Sequence, residues 1–194
     1  MPRIIIVTLM AAVIIGGCGR SVYDELTRYK NEATPADAEL QACLDAYTGR
    51  RLHLGEGYGY RLPFDSVETR ELLRRAEKAE EELKGIGAPE PSEASYAPGK
   101  TARLLAEEKI AAAEDIRGAF ELLDEVTREW EDRLPTGPPP EGDTETVELA
   151  PGDVEAWRDD MARVDGVFES AERNFDDAAL ALGAAILAAH DDEY

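Results

Sequence analysis

The stretch DVEAWRDDMARVDGVFESAERNFDDAALALGAAILAAH, residues 153–190, places Trp157, Met161, Val164, Phe168, Ala171, Phe175, Ala178, Leu182, Ala185 and Ala189 at alternating spacings of four and three. This alternation keeps one face of a helix apolar along its whole length, and no polar residue interrupts it. Leu180, Ile186 and Leu187 lie beside the seam and widen the stripe beyond that of a two-stranded coil. A stripe this wide requires more than one neighbouring helix. The expected fold is all-α, an elongated antiparallel helix bundle with two long heptad-patterned helices.

The second long helix is expected over residues 101–134. There Ala102, Leu105, Lys109, Ala112, Ile116, Ala119, Leu123, Val126 and Trp130 repeat the alternation, Lys109 is its one polar breach, and Pro135 ends it. Phe120 and Leu122 widen this stripe as well. At about 1.5 Å per residue each long helix extends roughly 50 Å, which makes a rod. Antiparallel packing is the simplest topology for the pair. Between them PTGPPPEGDTETVELAPG, residues 135–152, reads as a Pro-rich acidic linker with room for one short strand over 144–149.

The earlier elements are shorter. Residues 64–87 offer Asp65 or Ser66 as N-cap, Glu68 at capping-box spacing from Asp65, apolar Leu72, Ala76, Ala79 and Leu83, and Gly85 as a stop. Val22, Leu26 and Tyr29 share a helical face that is expected to break near Thr34 and Pro35. A second short helix then carries Leu40, Cys43 and Tyr47 and stops at Gly49. Residues 51–62 alternate leucines and tyrosines around Gly55 and Gly57, compatible with a small β-hairpin or an ordered loop. Tyr58 and Tyr60 in it are the candidate ligand or partner surface, against the plainer role of capping the bundle.

The run AALALGAAILAA, residues 178–189, is too short to cross a bilayer, which takes about 20 apolar residues. It reads instead as a deeply buried helix end whose alanines and Gly183 permit close backbone approach.

The first twenty residues, MPRIIIVTLMAAVIIGGCGR, have the layout of a secretory leader: Arg3 near the start, then an apolar run over 4–15 broken only by Thr8. Ile15-Gly16-Gly17-Cys18 resembles the lipobox of bacterial lipoproteins. The resemblance implies cleavage before Cys18, a diacylglyceryl thioether on its sulfur and an acylated new amino terminus. Small residues before the cysteine suit a peptidase closing on the backbone, and a thiol is the side chain best fitted to take an alkyl group. In that family an Asp after the cysteine commonly retains the protein at the inner membrane; Gly19 stands here, so the outer membrane is favoured if the cell has two. The expected organisation is residues 1–17 cleaved signal, 18–34 anchor segment with a first short helix, and 35–194 bundle domain containing the linker 135–152.

Composition narrows the partners. Removing residues 1–17 deletes one basic and no acidic group, leaving 20 Lys and Arg against 42 Asp and Glu, a net −22. Such a field repels phosphate backbones and anionic headgroups, so no nucleic acid is expected and membrane attachment falls to the lipid. Five Lys against sixteen Arg fits a saline habitat or a GC-rich genome equally. With Cys18 lipidated, Cys43 has no intramolecular partner, so no disulfide is expected.

A further stretch, AEKAEEELKGIGAPEPSEASYAPGKTARLLAEEKIAAAE, resembles the Tyr-Ala-Pro helical-hairpin domains of envelope lipoproteins, with Tyr96, Ala97 and Pro98 at the junction between helices. The resemblance implies a hairpin and carries over no catalytic residue. His53 and His190 are the only histidines and belong to no zinc spacing, so no metal and no cofactor are expected. Acidic runs such as Glu80, Glu81 and Glu82 read as solvated faces, and no carboxylate pair stands out for acid–base work. The sequence therefore implies a non-catalytic, lipid-anchored envelope module that engages another envelope protein, with self-association compatible. The alternative is a lipoprotein that binds a small ligand or a cation.

Overall fold

The computed structural model describes residues 21–53, 60–89, 100–137, 147 and 149–191. It is an all-α bundle of α1 (Val22–His53), α2 (Ser66–Gly85), α3 (Ala102–Trp130) and α4 (Pro151–Asp191). Contacts between Arg50 and Glu68, Glu80 and Arg117, Trp130 and Asp160, and Tyr47 and Asp165 make each adjacent pair antiparallel. The helices thus run up, down, up, down, with α1 and α3 diagonal to each other.

The caps follow the sequence. Asp65 accepts from the amides of Val67 and Glu68, and the Glu68 side chain accepts from the amide of Asp65, a reciprocal capping box that starts α2. Thr101 accepts from the amide of Leu104 at 3.1 Å and starts α3. That helix ends at Trp130, a turn earlier than the expected limit at residue 134, while α4 begins at Pro151 inside the expected linker. Proline at the first helical position loses a donor that would have had no partner there.

The expected break at Thr34 and Pro35 is absent: α1 is one helix of 32 residues with Pro35 inside it. Pro35 has no amide to give to the carbonyl of Asn31, while the Thr34 hydroxyl donates to the carbonyl of Lys30 at 2.8 Å. Tyr29, Ala33, Ala36 and Leu40 are all buried on either side, so packing holds the axis through the proline. The boundary drawn between residues 34 and 35 therefore falls within a helix. Gly49 does not stop α1 either, because Arg50 and Arg51 extend it and tie its end to Glu68 of α2 and Asp165 of α4.

Among the described residues there is no strand; Leu62 and Thr136 form an isolated parallel bridge. Leu62 donates to the carbonyl of Pro135 at 2.9 Å and accepts from the amide of Gly137 at 2.8 Å. Gly137 adopts φ +68°, and a Cβ there would stand 3.2 Å from the Arg50 guanidinium. Of the expected hairpin or loop, residues 51–53 are helix, 60–62 run into this bridge, and 54–59 lie outside the described residues. Most of the strand expected over 144–149 also lies outside them; Val147 and Leu149 carry no strand and pack on the core.

The core falls into two parts because α2 is so much shorter than α4. The larger cluster joins all four helices through Leu40, Cys43, Leu72, Ile116, Phe120 and Phe168. Phe168 stacks on Tyr47 at 3.7 Å between ring centres and meets Phe120 edge-on at 4.9 Å. Beyond the end of α2, Leu26 and Tyr29 of α1, Leu105 of α3, and Leu182 and Ala185 of α4 form a three-helix cluster. Ile86, one residue past α2, packs against both.

Lys109, read as a breach in the α3 seam, lies just past that step and is 2% exposed. Its ammonium pairs with Asp37 of α1 at 2.8 Å and stands 5.5 Å from the Phe175 ring centre of α4. The breach is a tie between three helices. Asp124 is likewise buried, accepts from the Thr69 hydroxyl at 3.1 Å and pairs with Arg128.

Removing one partner of a buried pair leaves an uncompensated charge. Since Asp37 keeps some solvent contact, Lys109→Ala is expected to cost about 2–4 kcal/mol in urea unfolding. A Lys109→Met/Asp37→Leu double variant should recover most of that loss, and equal losses in the two variants would overturn the pairing account. A pH dependence follows as well. Burial raises the Cys43 thiol from 9.0 to about 11, and burial followed by the Asp37 charge raises Tyr29 from 10.0 to about 12. Both groups are neutral when protonated, so their contribution is whole below about pH 9 and is lost as the unfolded chain ionises first, on rising through pH 11 and 12. The urea midpoint should fall between pH 8 and pH 11, and a flat profile would refute the assignment.

Candidate functional site

The groups expected to act fall mostly at one end of the chain. Ile15, Gly16, Gly17 and Cys18 lie outside the described residues, as do Tyr58 and Tyr96, Ala97 and Pro98. Tyr60 is described: it is half-buried and meets the indole of Trp157 edge-on, with ring centres 5.4 Å apart. That contact makes Tyr60 part of the cap over the four-helix end.

The end of the bundle opposite that cap is built from the start of α1 and the end of α4. The amide of Asp24 donates to the Ser21 hydroxyl at 3.1 Å, capping the first turn of α1. Tyr23 then meets His190 edge-on at 5.4 Å, pinning that turn to the last turn of α4. His190 lies in the last turn of α4, beside Asp191.

Residues 178–189 are not the deeply buried helix end expected of them. Only the seam positions Ala178, Leu182, Ala185 and Ala189 are buried, whereas Leu180 is 71% and Leu187 69% exposed. A Cβ at Gly183 would meet nothing within 4 Å, so no backbone approaches it closely. The outer face of this end is an open groove of about 930 Å³, lined by Ala179, Leu180, Gly183, Ala184, Ile186 and Leu187 together with Lys30 and Asp176.

A second concavity, about 300 Å³, lies between α1 and α4 and is lined by Tyr47, Arg51, Asp165, Phe168, Glu169 and Glu172. Asp165 accepts from the Tyr47 hydroxyl at 2.6 Å and from Arg51 Nε at 2.6 Å, and pairs with the Arg51 terminal nitrogen. Burial, and then the bond to Asp165, pushes the Tyr47 phenol well above its ordinary value. The Asp165 hydrogen bond holds the Arg51 guanidinium firmly charged. The carboxylate is thus fully engaged by neighbours on α1, and the arrangement works as a polar joint between two helices.

This joint was not anticipated. Its only mark in the sequence is Tyr47 and Arg51 one turn apart on α1, a signal shared by many helices. Among the described residues no group of three or more His, Cys, Asp or Glu could hold a metal ion.

Asp165→Ala leaves the buried Tyr47 hydroxyl without its acceptor and Arg51 without its anchor. The expected loss is about 1–3 kcal/mol in urea unfolding. Tyr47→Phe in the Asp165→Ala background should then cost almost nothing more, and additive losses would overturn the joint. No family model, no curated protein and no solved structure matches this chain.

Proposed function

We propose that this chain is a lipid-anchored protein of the cell envelope, a non-catalytic structural or adaptor module whose helical bundle stands on an acylated Cys18 and engages another envelope protein. The observation that carries the reading is the lipobox Ile15-Gly16-Gly17-Cys18 behind a leader-length apolar run, with α1 starting only four residues after the cysteine. No helix of the described residues is long and apolar enough to cross a membrane. A net −22 on the processed chain disfavours attachment through headgroups, which leaves covalent lipid as the means of attachment.

Adaptor work is the better supported task. The buried carboxylates Glu80 and Asp124 and the part-buried Asp165 are each held by Arg, Lys or hydroxyl partners within the bundle. Groups committed in this way position helices and are poorly placed to shuttle protons. On this reading the partner-facing surface is the acidic exterior.

The intact mass of the native protein tests the anchor. It should begin at Cys18 and carry the added mass of a diacylglyceryl group and an amide-linked acyl chain, and Cys18→Ser should move the protein out of the lipid-modified fraction. A native chain that begins at Met1, or one with an unmodified thiol at position 18, would sink the proposal.

A further inference from the structure

We infer that the groove along the outer face of α4, lined by Gly183 and Ala184, shelters an acyl chain of the protein's own Cys18 anchor whenever that anchor is out of the bilayer. The inference rests on the lipoprotein reading above and adds a binding site to it.

Position comes first. Cys18 stands three residues before Ser21, and an extended chain covers at most about 3.6 Å per residue, so its Cα stays within about 11 Å of that of Ser21. The first turn of α1 is pinned to His190 through Tyr23, and Leu187 lies one helical turn back from His190 along α4. Ile186 joins the two sites: it packs on the three-helix cluster, as Val22 and Tyr23 do, and also lines the groove. The anchor is therefore tethered within reach of the Leu187 end of the groove.

Shape and polarity agree with position. From Asp176 to Leu187 the groove runs eleven residues, about 16 Å at 1.5 Å per residue, a length suited to an extended hydrocarbon chain. Of its charged lining residues, Asp176 sits at the end away from the anchor, and Lys30 of α1, by the register that sets Tyr23 beside His190 and Tyr47 beside Asp165, stands level with Gly183 and can turn its ammonium to water. Exposed Leu180 and Leu187 stand on one face of the helix on either side of Gly183, whose absent side chain leaves a hollow between them. Each methylene taken out of water there is worth about 0.8 kcal/mol.

Charge separates the occupants. A second copy or an anionic bilayer surface would bring more negative charge against a chain that already carries −22 once processed. An acyl chain brings none, and being covalently attached it arrives at high effective concentration. In the bilayer two or three chains gain far more than the groove offers, so the site fills only off the membrane.

The test supplies cells with a diazirine-bearing long-chain fatty acid, purifies the mature lipidated protein, removes detergent into aqueous buffer, and photolyses it. Peptide mapping should place adducts within residues 176–190 of the same chain. Gly183→Leu fills the hollow where there is room for a side chain and favours helix, so it should fold normally and lose these adducts. Adducts joining two chains, adducts only to co-purified lipid, or an unchanged yield in Gly183→Leu would each overturn the inference. Absence of the labelled fatty acid from Cys18 would instead refute the lipoprotein reading, so the two failures are distinguishable.

Discussion

Helix α2 has 20 residues and α4 has 41, and because a helix can cover only the length it spans, this inequality governs how the rest of the molecule is arranged. Where α2 is present the core has four walls and can take aromatic rings, so Phe120, Phe168 and Tyr47 stack there. Past its end three helices must close on one another, and the residues shrink to Ala102, Ala106, Ala185 and Ala189 around Leu26, Tyr29 and Leu182. Small side chains let three axes approach closely, whereas a full complement of leucines would hold them apart.

The polar interior follows the same step. An apolar residue at Lys109 would fit the seam, yet the chain uses a cation that reaches Asp37 on the diagonal helix. Lateral register between α1 and α3 has few other fixings in a bundle whose neighbouring pairs are α1 with α2 and α4, and α3 with α2 and α4. Buried ion pairs are weak sources of stability and better sources of register. Asp124 with Thr69 and Glu80 with Arg117 do the corresponding work between α2 and α3, and Asp165 with Arg51 and Tyr47 between α1 and α4.

The two seams were legible because ten and nine positions in succession keep one spacing, a pattern that chance and loops do not sustain. The capping box of α2 was legible because Asp65 and Glu68 occur at the spacing its two reciprocal hydrogen bonds demand. The continuity of α1 was hidden, since Thr34, Pro35 and Gly49 are local stop signals that only packing on other helices overrides. The outer face of α4 was misjudged for a related reason: alanine suits a core and a surface alike, so residues 178–189 do not say which of their faces lacks a neighbour.

The long, uninterrupted α1 also decides how the molecule answers tension. A pull on the residues preceding Ser21, resisted at the end of α4, acts on two antiparallel helices from the same end and opens them like a zipper, turn by turn from Tyr23 and His190. The same pull resisted at the opposite pole slides α1 lengthwise past its neighbours, so the whole row of contacts from Leu26 to Arg51 yields together and at higher force. In the first geometry, peeling meets Pro35, where the helix lacks one rung, and then the Asp37 clasp. A molecule held at both ends by its surroundings would therefore stretch by about a third of α1 before the main core felt any strain.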